Sequence, residues 1–232
     1  MVKKITVYIS LTSAIIILLF NTPEIRVGSG FIIGDGLFIF TYAGLVNKAK
    51  SIKVKFPNED FINSKLIYID LENNLAIIRL EKMPKVKKKS LIFAKTDNHQ
   101  MDKYVFTIGY PWTNTQKDQY KLIEGSLSYL DAPSSKILKL KIPINPVHLG
   151  SPVLNSKAEV IGMLLTHQNL EPAKKKDEDS SFAVGINVLS QALEKANLSV
   201  ARPTEPDKTI PKRQDFIDNV KNNIVLIEAV IN

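Results

Sequence analysis

The sequence predicts an all-β protein made of barrels or sandwiches, and three observations carry the prediction. Between Arg26 and Ile186 the apolar residues come in short runs rich in Ile, Val, Phe and Tyr, many of them alternating with polar residues as half-buried strands require. These runs follow one another closely, which is the spacing of closed or stacked antiparallel sheets. Helical periodicity appears only late in the chain.

Taken in order, Lys3 and Lys4 precede an uncharged run from Ile5 to Phe20, the pattern of an export signal. The run is short for a membrane span, and no small-x-small cleavage pattern precedes Asn21-Thr22-Pro23, so residues 1–22 read as a signal-anchor or a signal peptide. The positive charges stay inside, and the chain from about Thr22 onward faces away from the cytoplasm. Phe31 to Ile33 and Leu37 to Phe40 flank Gly34-Asp35-Gly36, a turn that admits positive φ and closes a hairpin. Strands are then expected at Ser51 to Phe56, Lys65 to Ile69, Leu75 to Leu80, Leu91 to Ala94 and Tyr104 to Ile108. More follow at Lys121 to Leu130, Ile137 to Ile142, Val153 to Leu154, Val160 to Thr166 and Phe182 to Ile186. Asn187 is placed to cap a helix over 188–198 that puts Val188, Leu189, Ala192, Leu193 and Ala196 on one face. Residues 201–213 hold Pro203, Pro206 and Pro211 among charges and read as a linker, and 214–232 stands apart.

Composition narrows the function classes. An apolar fraction of 44% and a charged fraction of 23% are those of an ordinary globular chain, and 232 residues bury a sizeable core. The absence of cysteine excludes disulfides, thiolate metal sites and a cysteine nucleophile. A net charge of +8 raises nucleic acid as a partner, yet the lysines at 85, 87, 88 and 89 and at 174 to 176 do not interleave with aromatics as base stacking needs. Nucleic acid is therefore set aside in favour of a basic surface facing anionic lipid or solvent. Arg79, Asp70 and Trp112 are assigned structural or surface roles, and no cofactor is expected.

The motif Ile144-Asn145-Pro146-Val147-His148-Leu149-Gly150-Ser151-Pro152, continuing through Asn155 to Glu159-Val160-Ile161-Gly162, resembles the serine-bearing turn I-N-P-G-N-S-G-G-P-L of trypsin-like serine proteases of the HtrA/Deg branch. Gly28-Ser29-Gly30-Phe31-Ile32-Ile33 and Thr41-Tyr42-Ala43-Gly44-Leu45-Val46 are similar to that family's G-S-G-F-I-I strand and T-N-A-H-V-V turn. Asp70 to Ile78 resembles its D-x-x-x-D-L-A-V-L segment, Ile108-Gly109-Tyr110-Pro111 its I-G-x-P turn, and Ser181 to Ile186 its G-F-A-I-P strand. The resemblance covers about 27 to 198. It implies two six-stranded antiparallel β-barrels, 25–100 and 101–188, with the closing helix behind them.

It also implies that the three positions of the catalytic triad are occupied by Gly44, Asn74 and Leu149, and a glycine of the oxyanion hole by Val147. None of these side chains can serve as base, orienting carboxylate or nucleophile. The expected function is that of a catalytically inactive, extracytoplasmic protease homologue binding protein or peptide segments as scaffold or regulator, an active relative and further copies of itself among the expected partners. Phe182, Ala183, Val184 and Gly185 are the peptide-binding candidates, by strand addition. The competing readings are an endopeptidase rebuilt around His148 and Ser151, and a metal-binding module using His148 and His167, whose two imidazoles without a carboxylate make a weak site.

The tail adds one expectation. The family's domain opens with a helix and strand of the type F-x-x-x-V-x-x-x-x-P-A-V-V-x-I, for which little chain is left between Phe20 and Gly28. Phe216, Ile217, Val220 and Ile224 have helical spacing, and Ile224-Val225-Leu226-Ile227 suits a buried strand. The tail is therefore read either as the missing opening elements, completing the first barrel, or as one helix continuing through Val230.

Overall fold

A computed structural model describes residues 23–85, 90–95, 104–109, 121–129, 136–144, 146–165, 180–200 and 213–231. The expectations for the N-terminal segment, the 201–213 linker up to Lys212, His99, Trp112 and His167 lie outside the described residues.

The chain forms β1 (Glu24–Ile33), β2 (Phe38–Tyr42), a single helical turn α1 (Ala43–Val46), β3 (Ala49–Lys55), β4 (Ile62–Asp70) and β5 (Leu75–Leu80). It continues with β6 (Tyr104–Gly109), β7 (Lys121–Tyr129), β8 (Ile137–Lys141), β9 (Pro152–Leu154), β10 (Val160–Leu165) and β11 (Ser180–Gly185), then α2 (Ile186–Lys195), α3 (Arg213–Lys221) and β12 (Ile224–Ile231). The strands close two six-membered antiparallel barrels, one in the order β1-β12-β3-β4-β5-β2 and the other β10-β11-β8-β7-β6-β9.

The tail helix stops at Lys221, and the remaining run is extended. β12 inserts between β1 and β3, with Gly28 opposite Ile227 on one side and Val54 opposite Ile227 on the other. This covers the two edges that β1 and β3 would otherwise present to solvent.

The reason so many strands read as unbroken apolar runs is that they are buried on both faces. In β1, Ile32 points into the first barrel, while Phe31 and Ile33 join the layer between the barrels. In β12, Val225 and Ile227 fill the barrel, while Ile224 enters the inter-barrel layer with Phe216 and Val220 of α3. That layer is centred on Phe31, Phe40 and Phe93, whose ring centroids lie 5.7 to 6.4 Å apart, and it also takes Ile108, Met163 and Val184 from the second barrel.

Two expectations need correction. Leu91 to Ala94 is no strand but a connector held by one bridge, Phe93 to Val160, flanked by bonds of Val160 N–H to Ile92 C=O and Ala94 N–H to Val160 C=O. With Asn187 already inside the helix, α2 starts two residues earlier than expected, at Ile186, its N-cap being Gly185 without a side-chain bond, because the chain leaves β11 and turns at once.

Candidate functional site

The corner where the barrels meet is assembled from α1, the turn before β5 and the 3-10 turn Pro146–His148. In the turn before β5 the Asp70 carboxylate accepts from the Asn73 backbone N–H at 3.0 Å and from Asn73 Nδ2 at 2.8 Å. Burial raises the Asp70 pKa, but these bonds and the nearby Lys195 charge outweigh it and hold it below the ordinary carboxylate value. The turn ends on Asn74, buried and at φ +56, a conformation asparagine tolerates well. Its carbonyl accepts from the Ala43 N–H at 3.0 Å, so Asn74 is tied to the helical turn that carries Gly44.

Gly44 has no side chain to offer, and the end of the Tyr42 side chain occupies the space next to it. A Cβ built on it would lie 2.5 Å from Cζ and Cε1 of Tyr42, whose ring folds over the glycine. Burial pushes the Tyr42 hydroxyl above its ordinary pKa, so it stays protonated at neutral pH. Arg26 Nη1 donates to the Gly44 carbonyl at 2.8 Å, and Arg26 Nε to Glu24 Oε1 at 2.7 Å.

On the other side of the corner, the loop is held rigidly against the first barrel. The Ser29 N–H donates to the Leu149 carbonyl at 3.0 Å and the Ser29 hydroxyl to the Val147 carbonyl at 2.7 Å. Gly150, at φ +86, passes so close to the Ser29 carbonyl that a Cβ there would collide with it. The Leu149 N–H donates to the Pro146 carbonyl at 3.2 Å. This amide, two residues on from the Val147 that the resemblance places at the oxyanion hole, is thus already engaged within the turn. Leu149 itself is half-buried, and with Arg26, Tyr42, Gly44, Leu45 and Pro146 it walls a cavity of about 220 Å³.

The structure therefore brings Gly44 and Leu149 to one cavity and ties Asn74 to the helical turn that carries Gly44. His148 and Ser151 are neighbours too, both beside Gly109, but both are buried and the Ser151 hydroxyl has no hydrogen-bond partner. No serine–histidine hydrogen bond forms there, and the Ser151 hydroxyl is 0% exposed. His167 lies outside the described residues, so the metal pairing acquires no geometry. The strand-addition candidates need revision: Phe182, Ala183 and Val184 are paired with β8 on one edge and β10 on the other, while Gly185 pairs with Gly162 and donates to the Lys136 carbonyl. Both backbone edges are used within the barrel, which leaves no ladder for an added peptide at these residues.

A family model for the trypsin-like peptidase domain matches residues 28–163, more than half of the chain. The chain belongs to the trypsin-like peptidase family. Among similar proteins are the putative serine protease HhoB of Synechocystis sp., 27% identical over 143 residues, or 59% of this chain and 33% of that protein. A probable periplasmic serine endoprotease DegP-like from Ectopseudomonas mendocina is 27% identical over 139 residues, 59% of this chain and 28% of that protein. The serine protease HtrA-like of Staphylococcus epidermidis is 21% identical over 227 residues, 91% of this chain and 38% of that protein. The chain thus spans about a third of the length of these relatives.

For this trypsin-like domain, sequence reasoning missed Tyr42, Arg26 and Ser29 as parts of the corner. A signal existed for the first: in Thr41-Tyr42-Ala43-Gly44 a bulky ring stands where the resembled turn has asparagine, two residues before histidine has become glycine. Arg26 and Ser29 gave none, since what they contact lies 18 and 118 residues away.

Proposed function

We propose that this chain is a non-catalytic, extracytoplasmic member of the trypsin-like family that binds protein or peptide segments, as a scaffold or as a regulator of an active relative. The observation that carries the reading is the make-up of the corner: the Tyr42 ring lies over Gly44 and the Leu149 amide is spent on Pro146. On this reading Gly44 offers no base and Leu149 no nucleophile, and such groups act as a unit. Binding needs none of them, and the cavity beside Leu149 keeps a concave, largely apolar wall for a side chain of a bound segment. The extracytoplasmic placement rests on Lys3, Lys4 and the apolar run 5–20, and accords with the word periplasmic in the name of the Ectopseudomonas relative. Among the described residues no helix is long and apolar enough to cross a membrane.

The alternative, a rebuilt peptidase, draws on the unpartnered Ser151 hydroxyl next to His148. Incubating the full chain with a serine-reactive phosphonate and with casein separates the two. We expect neither labelling nor turnover; a phosphonate adduct on Ser151 would establish the peptidase instead. Leu149→Ser alone should stay inactive as well, because Gly44 supplies no base.

A further inference from the structure

One wall of the first barrel combines cations with the exposed Ile25, four residues beyond Asn21 in the sequence. Register puts Ile25, Val230 and Ser51 side by side across β1, β12 and β3, and Val27, Glu228 and Lys53 in the next row of that face. Ile25 is 58% exposed and lies in the outward row of this wall. Four lysines, at 48, 50, 53 and 55, fall within eight residues on or beside β3, and Lys50 sits at the irregularity where the β12 register shifts. Of the acids there, Glu24 is paired with Arg26 and Glu228 lies opposite Lys53. Only Asn21, Thr22 and Pro23 separate Phe20 from Glu24, a reach of about 14 Å when extended. A segment held in a bilayer up to Phe20 therefore keeps this barrel end within a short distance of the lipid headgroups.

We propose that the β1-β12-β3 wall lies against an anionic bilayer surface, with Ile25 and Val230 at the headgroup boundary and Lys48, Lys50 and Lys53 meeting lipid phosphate and carboxylate. This fixes the orientation of the barrels on the membrane, and it rests on reading residues 5–20 as membrane-held. Charge complementarity selects lipid as the occupant, since a lysine near an anionic leaflet favours contact about fivefold.

The chain has no cysteine, so single cysteines report cleanly. The full chain is placed in vesicles of phosphatidylcholine, alone or with about one third phosphatidylserine, and carries a fluorophore at Ser51→Cys or, as reference, at Gln191→Cys on α2. Flotation of the vesicles tests the tether separately. A headgroup-borne quencher should quench the Ser51 label severalfold more than the Gln191 label in the anionic vesicles. The excess should fall in high salt and in neutral vesicles. Lys48→Gln, Lys50→Gln and Lys53→Gln together should weaken the contact about a hundredfold and abolish the excess. Flotation with equal quenching at both labels overturns the proposal while leaving the tether intact; failure to float overturns both. If the triple variant does not fold, the salt dependence of the parent chain decides in the same sense.

Discussion

The two barrels reach the same closure by different routes. The second is built from six strands in one stretch, 104 to 185, whereas the first takes five strands from Glu24 to Leu80 and its sixth, β12, from Ile224–Ile231. Both end with every strand paired on two sides, so the physics of closure is indifferent to chain order and sensitive only to whether each edge finds a partner. What the first barrel gives up is locality, because its closing strand joins only after a long loop has formed.

The strongest way to break the comparison is to remove residues 214–232. Ile224, Val225, Leu226, Ile227 and Ile231 are all buried, and their loss removes roughly 7–15 kcal/mol of burial, comparable with the whole stability of a domain. The truncated chain should aggregate or lack a cooperative melt, while a rearranged chain carrying α3 and β12 ahead of β1 should melt cooperatively. If the truncated protein melts like the intact one, β12 is dispensable and the barrel closes otherwise.

A smaller effect is expected where the barrels meet. Gly150→Ala places a Cβ against the Ser29 carbonyl and a side chain at φ +86, for a loss of about 2–4 kcal/mol in chemical denaturation. Ser29→Ala removes the hydroxyl bond to Val147 and should cost about 1 kcal/mol. Equal losses would mean that the loop, and not the close approach, governs the junction.

Leu149→Asp introduces a charge into the half-buried wall of the cavity and should lower stability by about 1–2 kcal/mol at neutral pH, partly recovered in acid as the carboxyl is protonated. An unchanged melting temperature would place the side chain in solvent, available to a bound segment.

The smallest effect concerns Asp70. Its folded pKa is lowered, so its contribution to stability is present above the unfolded carboxylate range and is lost as pH falls through the folded value. Asp70→Asn should therefore cost about 0.5–1 kcal/mol at pH 7, and the two proteins should converge in stability at the acid end. A constant difference at all pH values would assign the loss to packing in the turn before β5.

The sequence by itself determined most of the strands, Leu91 to Ala94 and the tail apart, because alternation and β-branched runs report burial on a pleated surface, and it determined the family, because the loop from Ile144 to Gly162 keeps its pattern without a gap. It also pointed to the three residues, Gly44, Asn74 and Leu149, that occupy the corner. The tail divided into helix and strand only in the tertiary structure, since a four-residue apolar run suits either and the open edges of β1 and β3 decide between them. Likewise, only the fold revealed that β11 is paired on both edges, that Tyr42 covers Gly44 and that the Leu149 amide turns back to Pro146. Each of these depends on which groups from distant parts of the chain arrive at the same place. Local pattern carries which residues are buried, and contact between distant segments settles what they are buried against.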